Sequence, residues 1–513
     1  MKYRNPIIPG YSPDPSICRV GDDFYLVNSS FEFFPGVPIY HSTNLVNWEL
    51  IGHVLDRESQ LHLEGCRNSG GIYAPTIRHH DGRFYMITTN VTDKGNFVVH
   101  ADNPKGPWSE PAWIDQGGID PSLFWDDDGT CYYCSTGTID GVRGIVGFVI
   151  NPDTGEILSD KKIIGIGCGG MCTEGPHIYK RNGWYYLMTA EGGTEYGHRE
   201  AIGRSRSFWG PYENCPDRQI LSHRERKRHE IQATGHADMV EDANGNWWAV
   251  FLGIRNFSRA LLHNLGRETF LAPVTWNENG WPVIGHNGLV ELWMEGELPG
   301  EAVTKQDFSM NIDFAKPLLQ YNVMFTRNPV WDNYVQDTKE RTLLLKGTNL
   351  TLDTAGVSPT IVSFRQPEFC TTVLAKLSLK ESDAARTGIS AYYNNEYHYD
   401  IYVGNDENGK YIGFYKHIHD MGVELAKVPV PEQCETVRFQ IVSDREKYCF
   451  SYAFDDESFA EIGSGLNAGL STEGTCTMTF TGTLYAVFAE NGNGKFLEGV
   501  RMDAVCEESG AGQ

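Results

Sequence analysis

The sequence predicts an all-β protein, a five-bladed β-propeller followed by a C-terminal β-sandwich, and three observations carry that expectation. One short unit recurs five times in the first half of the chain. Its recurrences fall at blade-sized spacings. Past residue 296 the repeat stops, and a strict two-residue alternation of apolar and polar positions takes over.

The unit is a turn pair, one or two spacers, and two bulky residues opening a β-rich run. It reads GDDFYLV at 21–27, DGRFYMI at 81–87, DGTCYYC at 128–134, NGWYYLM at 182–188 and NGNWWAV at 244–250. Each is a hairpin turn feeding a strand. Aligned on Tyr25, Tyr85, Tyr132, Tyr186 and Trp248, the copies are 60, 47, 54 and 62 residues apart. A four-stranded propeller blade needs about 40–50 residues or more.

A second feature lies eleven or twelve residues before each aromatic. The copies begin at Asp14-Pro-Ser-Ile, Ala74-Pro-Thr-Ile, Asp120-Pro-Ser-Leu, Glu174-Gly-Pro-His-Ile and His236-Ala-Asp-Met-Val. The first strand of a blade lines the central channel, so its leading residue looks into one shared cavity. A single Asp-Pro-Ser reads as a turn. Three acids at one repeat position, with a histidine at a fourth, read as a site.

The propeller is expected over 1–295 and a polar linker, with Pro299 and Gly300, over 296–320. The sandwich is expected over 321–506. There EYHYDIYVG (396–404) sets Tyr397, Tyr399, Ile401 and Val403 on one face, and KYCFSYAFDD (447–456) repeats the device. The last residues, 507–513, read as a frayed tail.

Composition narrows the function. The formal charge is −24 and the pI near 5.1, so the surface repels nucleic acid and anionic membranes, and neither is an expected partner. A neutral small molecule suits the 62 aromatic residues better. The start, MKYRNPIIPGYSPDP, has no apolar signal core, and a cytoplasmic location is expected. Twelve scattered cysteines agree with that. Cys131 and Cys134 lie three apart on a strand and point to opposite faces, which argues for reduced thiols over a metal site. Cys168 and Cys172 form a second pair, for which reduced thiols are likewise expected. A homo-oligomer is left open.

Three carboxylates around one cavity raise one another's pKa, a cost that a purely structural core avoids. A catalyst uses it, because acids with separated pKa values supply a proton donor and a base at once. With no nucleotide motif, glycosidic bond hydrolysis is the natural reaction. Glu174, in the glycine-rich GCGGMCTEGPHIY, has the reach of a proton donor. Asp14 suits the base and Asp120 the tuning of the pair.

The blocks NPIIPGYSPDPSI, GGIYAPTI, GGIDPSLF, TEGPHIYK, ATGHADMV and LGRETFLAPVTW, in order over residues 5–276, resemble the signatures of glycoside hydrolase family 43. They resemble in particular its two-domain β-xylosidase and α-L-arabinofuranosidase branch. The resemblance implies a concanavalin-like jelly roll for the sandwich and an inverting, exo-acting enzyme that trims short neutral xylo- or arabinoxylo-oligosaccharides. Asp14 is then general base, Asp120 pKa modulator and Glu174 general acid. No cofactor is required for the chemistry. Arg267 matches an arginine that holds sugar hydroxyls, with an ion pair to Glu268 as the alternative. His236 matches a histidine that faces a hydrated calcium ion in several members, with a hydrogen-bonded core histidine as the alternative. Phe31 and Tyr73 are candidate pocket walls or core residues. The rival functions are an arabinofuranosidase with little xylosidase activity and a non-catalytic sugar-binding propeller.

Overall fold

The computed structural model describes residues 1–217, 219–226, 228–258, 260–302, 306–477 and 479–506. The expected tail at 507–513 lies outside them.

The described residues form β-strands and four one-turn 3₁₀ helices. No helix among them is long and apolar enough to cross a membrane. Residues 16–284 build five four-stranded antiparallel sheets, each from one continuous stretch of chain. Their inner strands are Ser16–Val20, Thr76–His80, Ser122–Trp125, Glu174–Arg181 and Ile231–Glu241. The five aligned aromatics all fall on the second strand of their blades, Asp23–Val27, Arg83–Asn90, Cys131–Ile139, Trp184–Glu191 and Trp247–Arg255. The turn chemistry explains the register. Asp81-Gly82 and Asn182-Gly183 both have positive φ at each residue, the type I′ geometry that matches strand twist.

The ring closes through the N-terminal segment. Strand Lys2–Arg4 pairs with Trp293–Glu295. Asn5 Nδ2 donates to the Leu271 carbonyl at 2.9 Å, and Leu271 N returns a bond to Asn5 Oδ1 at 2.9 Å. The residues ahead of blade one are thereby fastened to blade five.

The second domain is a sandwich of two eight-stranded sheets. Alternation places Tyr397, Tyr399, Ile401 and Val403 in the core between the sheets. The expected linker at 296–320 needs correction. Strand Met310–Asp313 pairs with the long closing strand Gly492–Val505, and Ile312, Phe314 and Leu318 are buried. That strand is short and two of its four residues are polar, so composition hides it.

The two domains share structure. Phe33–Phe34, from the connection between the second and third strands of blade one, adds an edge strand to the sandwich by pairing with Phe325 and Thr326. One apolar cluster runs from Val27, Phe34 and Ile77 of the propeller to Phe325, Phe364 and Phe439 of the sandwich. A buried ion network spans the same contact. Glu368 of the sandwich receives Arg4 at 2.8 Å and Arg255 at 2.6 Å, and Arg255 also holds Glu268 at 2.8 Å.

All twelve cysteines are free thiols, Cys131 and Cys134 buried, Cys168 partly buried and Cys172 exposed.

Candidate active site

Residues at or just ahead of the start of three inner strands meet His236, which lies within the fifth, Ile231–Glu241. Asp14, Asp120, Glu174 and His236 line a small cavity of about 70 Å³ together with Phe31, Tyr73, Ala74, Ile119, Thr194, Arg267 and Phe480. A larger crevice of about 230 Å³, between the N-terminal segment and the sandwich, carries no carboxylate.

The backbone shows why three blades use Asp or His here. Asp14, Asp120 and His236 all have left-handed backbone, with φ of 52°, 58° and 52°. Asp and His enter that region more readily than most residues, and strained positions of this kind gather at functional sites. Blade four solves the same turn differently. Glu174 stays extended at the start of its strand and Gly175 takes the positive φ of 56°. A Cβ on Gly175 would also stand 3.1 Å from the His236 ring, so the position favours glycine twice over.

The three acids have different electrostatic fates. Asp14 is buried, which raises its pKa, but the Arg267 guanidinium, His236 and a hydrogen bond from Ser29 outweigh burial and hold it below the usual carboxylate range. Arg267 Nη1 lies 3.0 Å from Asp14 Oδ1, and Ser29 Oγ donates to Oδ2 at 2.6 Å. Glu174 has no such partner. Burial and the Asp14 charge push it up to about 7, against weaker opposition from Arg267 and Arg143. Asp120 is likewise pushed up to about 7, by burial and by the Glu174 and Asp14 charges, while His236 and the Gly175 N–H, at 3.0 Å from Oδ2, oppose the rise. Near neutral pH the cavity holds one firmly ionised carboxylate and two that compete for a proton.

Arg267 does not pair with Glu268, which faces Arg255 and the Gly10 N–H. Its guanidinium instead binds Asp14, Thr194 Oγ1 at 3.0 Å and the Phe480 carbonyl at 3.2 Å, and faces the Phe31 and Phe480 rings. Phe31, Tyr73 and Phe480 form a triangle with ring centroids 5.4–5.8 Å apart. Phe31 is buried and Tyr73 half-buried, with its hydroxyl receiving Arg67 at 3.2 Å. All seven residues singled out in the sequence line this one cavity. Ser29, Thr194 and Phe480 were not singled out. Ser29 stands beside Phe31 in a run without polar periodicity, Thr194 lies in a loop, and Phe480 arrives from the other domain.

The residues around His236 do not fit a calcium ion. Its Nδ1 is 3.9 Å from Asp14 Oδ1, an oxygen that Arg267 already occupies. Deeper in the channel a cation is built in. Arg78 of blade two binds Asp238 through both terminal nitrogens, at 2.7 and 3.1 Å, and donates to His177 Nδ1 at 3.0 Å. Ser16 and Tyr179 complete the shell of Asp238 at 2.6 and 2.7 Å. Calcium needs six to eight oxygen ligands, and these carboxylates are committed.

Comparison with known proteins agrees with the geometry. Residues 3–282 match the family described as Glycosyl hydrolases family 43, and residues 311–497 match the Beta xylosidase C-terminal Concanavalin A-like domain. A non-reducing end α-L-arabinofuranosidase of Bacteroides ovatus is 41% identical over 96% of this chain and 92% of its own. A xylosidase/arabinosidase of Butyrivibrio fibrisolvens is 41% identical over 78% of this chain and 79% of its own. The solved xylan β-1,4-xylosidase of Bacillus halodurans superposes with a TM-score of 0.91 at 32% identity, covering 98% of this chain and 100% of that one.

Proposed function

The chain belongs to glycosyl hydrolase family 43 and is a glycosidase, and on that premise we propose that it releases single xylose or arabinose units from the non-reducing ends of short oligosaccharides by an inverting mechanism. The observation that carries this reading is the pairing of an ionised Asp14 with a protonatable Glu174 in one small cavity. Asp14, clamped at both oxygens, takes a proton from the attacking water. Glu174 gives its proton to the leaving oxygen. Asp120 competes with Glu174 for that proton and keeps its pKa near the working range. Arg267 and Thr194 offer donors to the sugar hydroxyls, and the aromatic triangle walls the ring.

Two features support single-unit release by direct displacement. The cavity is small, with Phe480 of the sandwich standing at its wall. Asp14 and Glu174 come from blades one and four, which are not neighbours in the ring. Inversion needs the two carboxyls about 6.5–9.5 Å apart, with a water between the base and the sugar.

The test is NMR of the first product from an aryl β-xyloside. α-Xylose is expected before mutarotation, whereas β-xylose first would make Asp14 a nucleophile. Parallel assays on aryl α-L-arabinofuranoside apportion the activity between the two sugars.

A further inference from the structure

A polar cluster on the sandwich shares no residue with the active-site cavity. His398 on strand Tyr397–Asp406 and His417 on strand Gly409–Ile418 are directly opposed cross-strand partners. They sit on the sheet face opposite the one that packs into the core with Tyr397, Tyr399 and Ile401. Asp353, in the connection between strands Thr342–Gly347 and Thr360–Arg365, reaches over the pair. Its Oδ1 lies 2.9 Å from His398 Nε2 and 2.9 Å from His417 Nδ1. All three potential donor atoms lie within 4.8 Å of one another.

Hydrogen bonding alone accounts poorly for this arrangement. His417 Nδ1 is buried and aimed at an oxygen already bound by His398, and it makes no properly directed hydrogen bond among the described residues. A common centre accounts for both nitrogens. Zinc binds imidazole nitrogen and carboxylate oxygen at about 2.0–2.2 Å, which puts tetrahedral ligands roughly 3.3 Å apart. The two 2.9 Å contacts need to open by only a few tenths of an ångström.

The surroundings are those that hold metal ligands in place. His398 bonds through its other nitrogen, Nδ1, to buried Asp400 at 3.0 Å, the carboxylate–histidine relay that orients metal-binding imidazoles. Arg386 fixes Asp400 at 2.5 Å. Tyr415 donates to Asp353 Oδ2 at 3.2 Å. Asp353, Asp400 and Glu490 all lie within 4.0 Å of one guanidinium, Arg386.

We propose that Asp353, His398 and His417 bind one divalent transition-metal ion of the zinc type, with the fourth position open to solvent. Two imidazoles favour zinc over calcium or magnesium. The ion ties the Asp353 loop to the sheet. Asn395 joins that loop to the propeller, since its Nδ2 reaches the Asp353 carbonyl at 3.5 Å and its Oδ1 accepts from Asn68 at 2.7 Å. The role is structural, at the domain contact.

The experiment uses full-length enzyme without a histidine tag, stripped by a chelator and titrated calorimetrically with ZnCl₂. A parallel titration with Co²⁺ is followed by visible absorption. One equivalent of zinc is expected to bind, to raise the Tm, and to give the intense bands of tetrahedral Co²⁺. His417→Ala and Asp353→Asn should each weaken binding tenfold or more. Asp353→Asn keeps the acceptor for Tyr415, so it reports binding even if His417→Ala folds poorly. Equal zinc binding by parent and Asp353→Asn, or no saturable binding by the parent, overturns the assignment.

Discussion

At the scale of single residues, Asp14 and Glu174 differ because Asp14 is hydrogen-bonded to a guanidinium and Glu174 feels it only at a distance. Arg267 and Ser29 keep Asp14 ionised, while burial keeps Glu174 protonatable. A proton donor matters most when the leaving oxygen is a poor one. Glu174→Gln should therefore lose about 10²–10⁴-fold on natural oligosaccharides and far less on an aryl glycoside with an acidic phenol. Equal losses on both substrates would remove Glu174 from the donor role. The pH profile follows from the same shifts. Activity needs Asp14 ionised, so the acid limb should lie below the ordinary carboxylate range. It needs a proton on Glu174, so the basic limb should fall near pH 7, as an apparent value of the Asp120–Glu174 pair. Stability carries the opposite imprint. A carboxyl whose folded pKa is raised stabilises the native state below its unfolded value, and that contribution is lost as pH rises through about 7. The Tm of Glu174→Gln relative to the parent should accordingly climb between pH 4.5 and 7. A difference that stays flat or falls across that window contradicts the raised pKa.

At the scale of elements, the inner strands were legible because a local rule repeats. Turn glycines, paired aromatics and leading acids recur at fixed offsets, and that periodicity survives variation inside each blade. Blade two shows the limit. Ala74 holds the repeat position without an acid, and its blade contributes to the channel four residues later through Arg78, which no repeat marks. The pairing of Arg78 with Asp238 joins residues 160 apart in the chain. Phe480 was equally invisible. It lies in a connection without alternation, and its position depends on Ser69, whose hydroxyl accepts the Phe480 N–H at 2.9 Å across 411 residues. Its contribution can be measured. Phe480→Ala removes one wall and a ring facing Arg267, so KM for the sugar should rise more than kcat falls, with Phe480→Tyr largely restoring it. A drop confined to kcat would mean that the ring acts on the acids through Arg267. The calcium expectation belongs to this scale too. Added Ca²⁺ should leave the rate of metal-free enzyme unchanged, because Arg78 already supplies the cation in the channel, and a several-fold activation would contradict that.

At the scale of the whole molecule, the propeller is not a separable catalyst. Blade one lends Phe33–Phe34 to the sandwich sheet, and the sandwich returns Phe480 to the pocket. Between these two exchanges lies the buried network of Arg4, Arg255, Glu268 and Glu368. A buried ion network gains little over apolar packing, but breaking one partner strands charge in the interior and costs about 3–5 kcal/mol. Glu368→Ala should therefore destabilise the enzyme by that order, with Glu368→Gln costing less because its one amide oxygen still accepts from one of the two arginines. The larger cut is a chain ending at Leu298. It exposes Phe34 and Ile77 of the shared apolar cluster, leaves Arg4 without its carboxylate, and opens the wall formed by Phe480. The expected outcome is a poorly soluble protein with little hydrolysis of short substrates. Whatever activity remains should show weakened preference for chain ends, since the sandwich contributes to closing the pocket. Purified 1–298 with the parent's kcat/KM on an aryl xyloside would show that the sandwich is dispensable and that Phe480 has no part in holding the sugar.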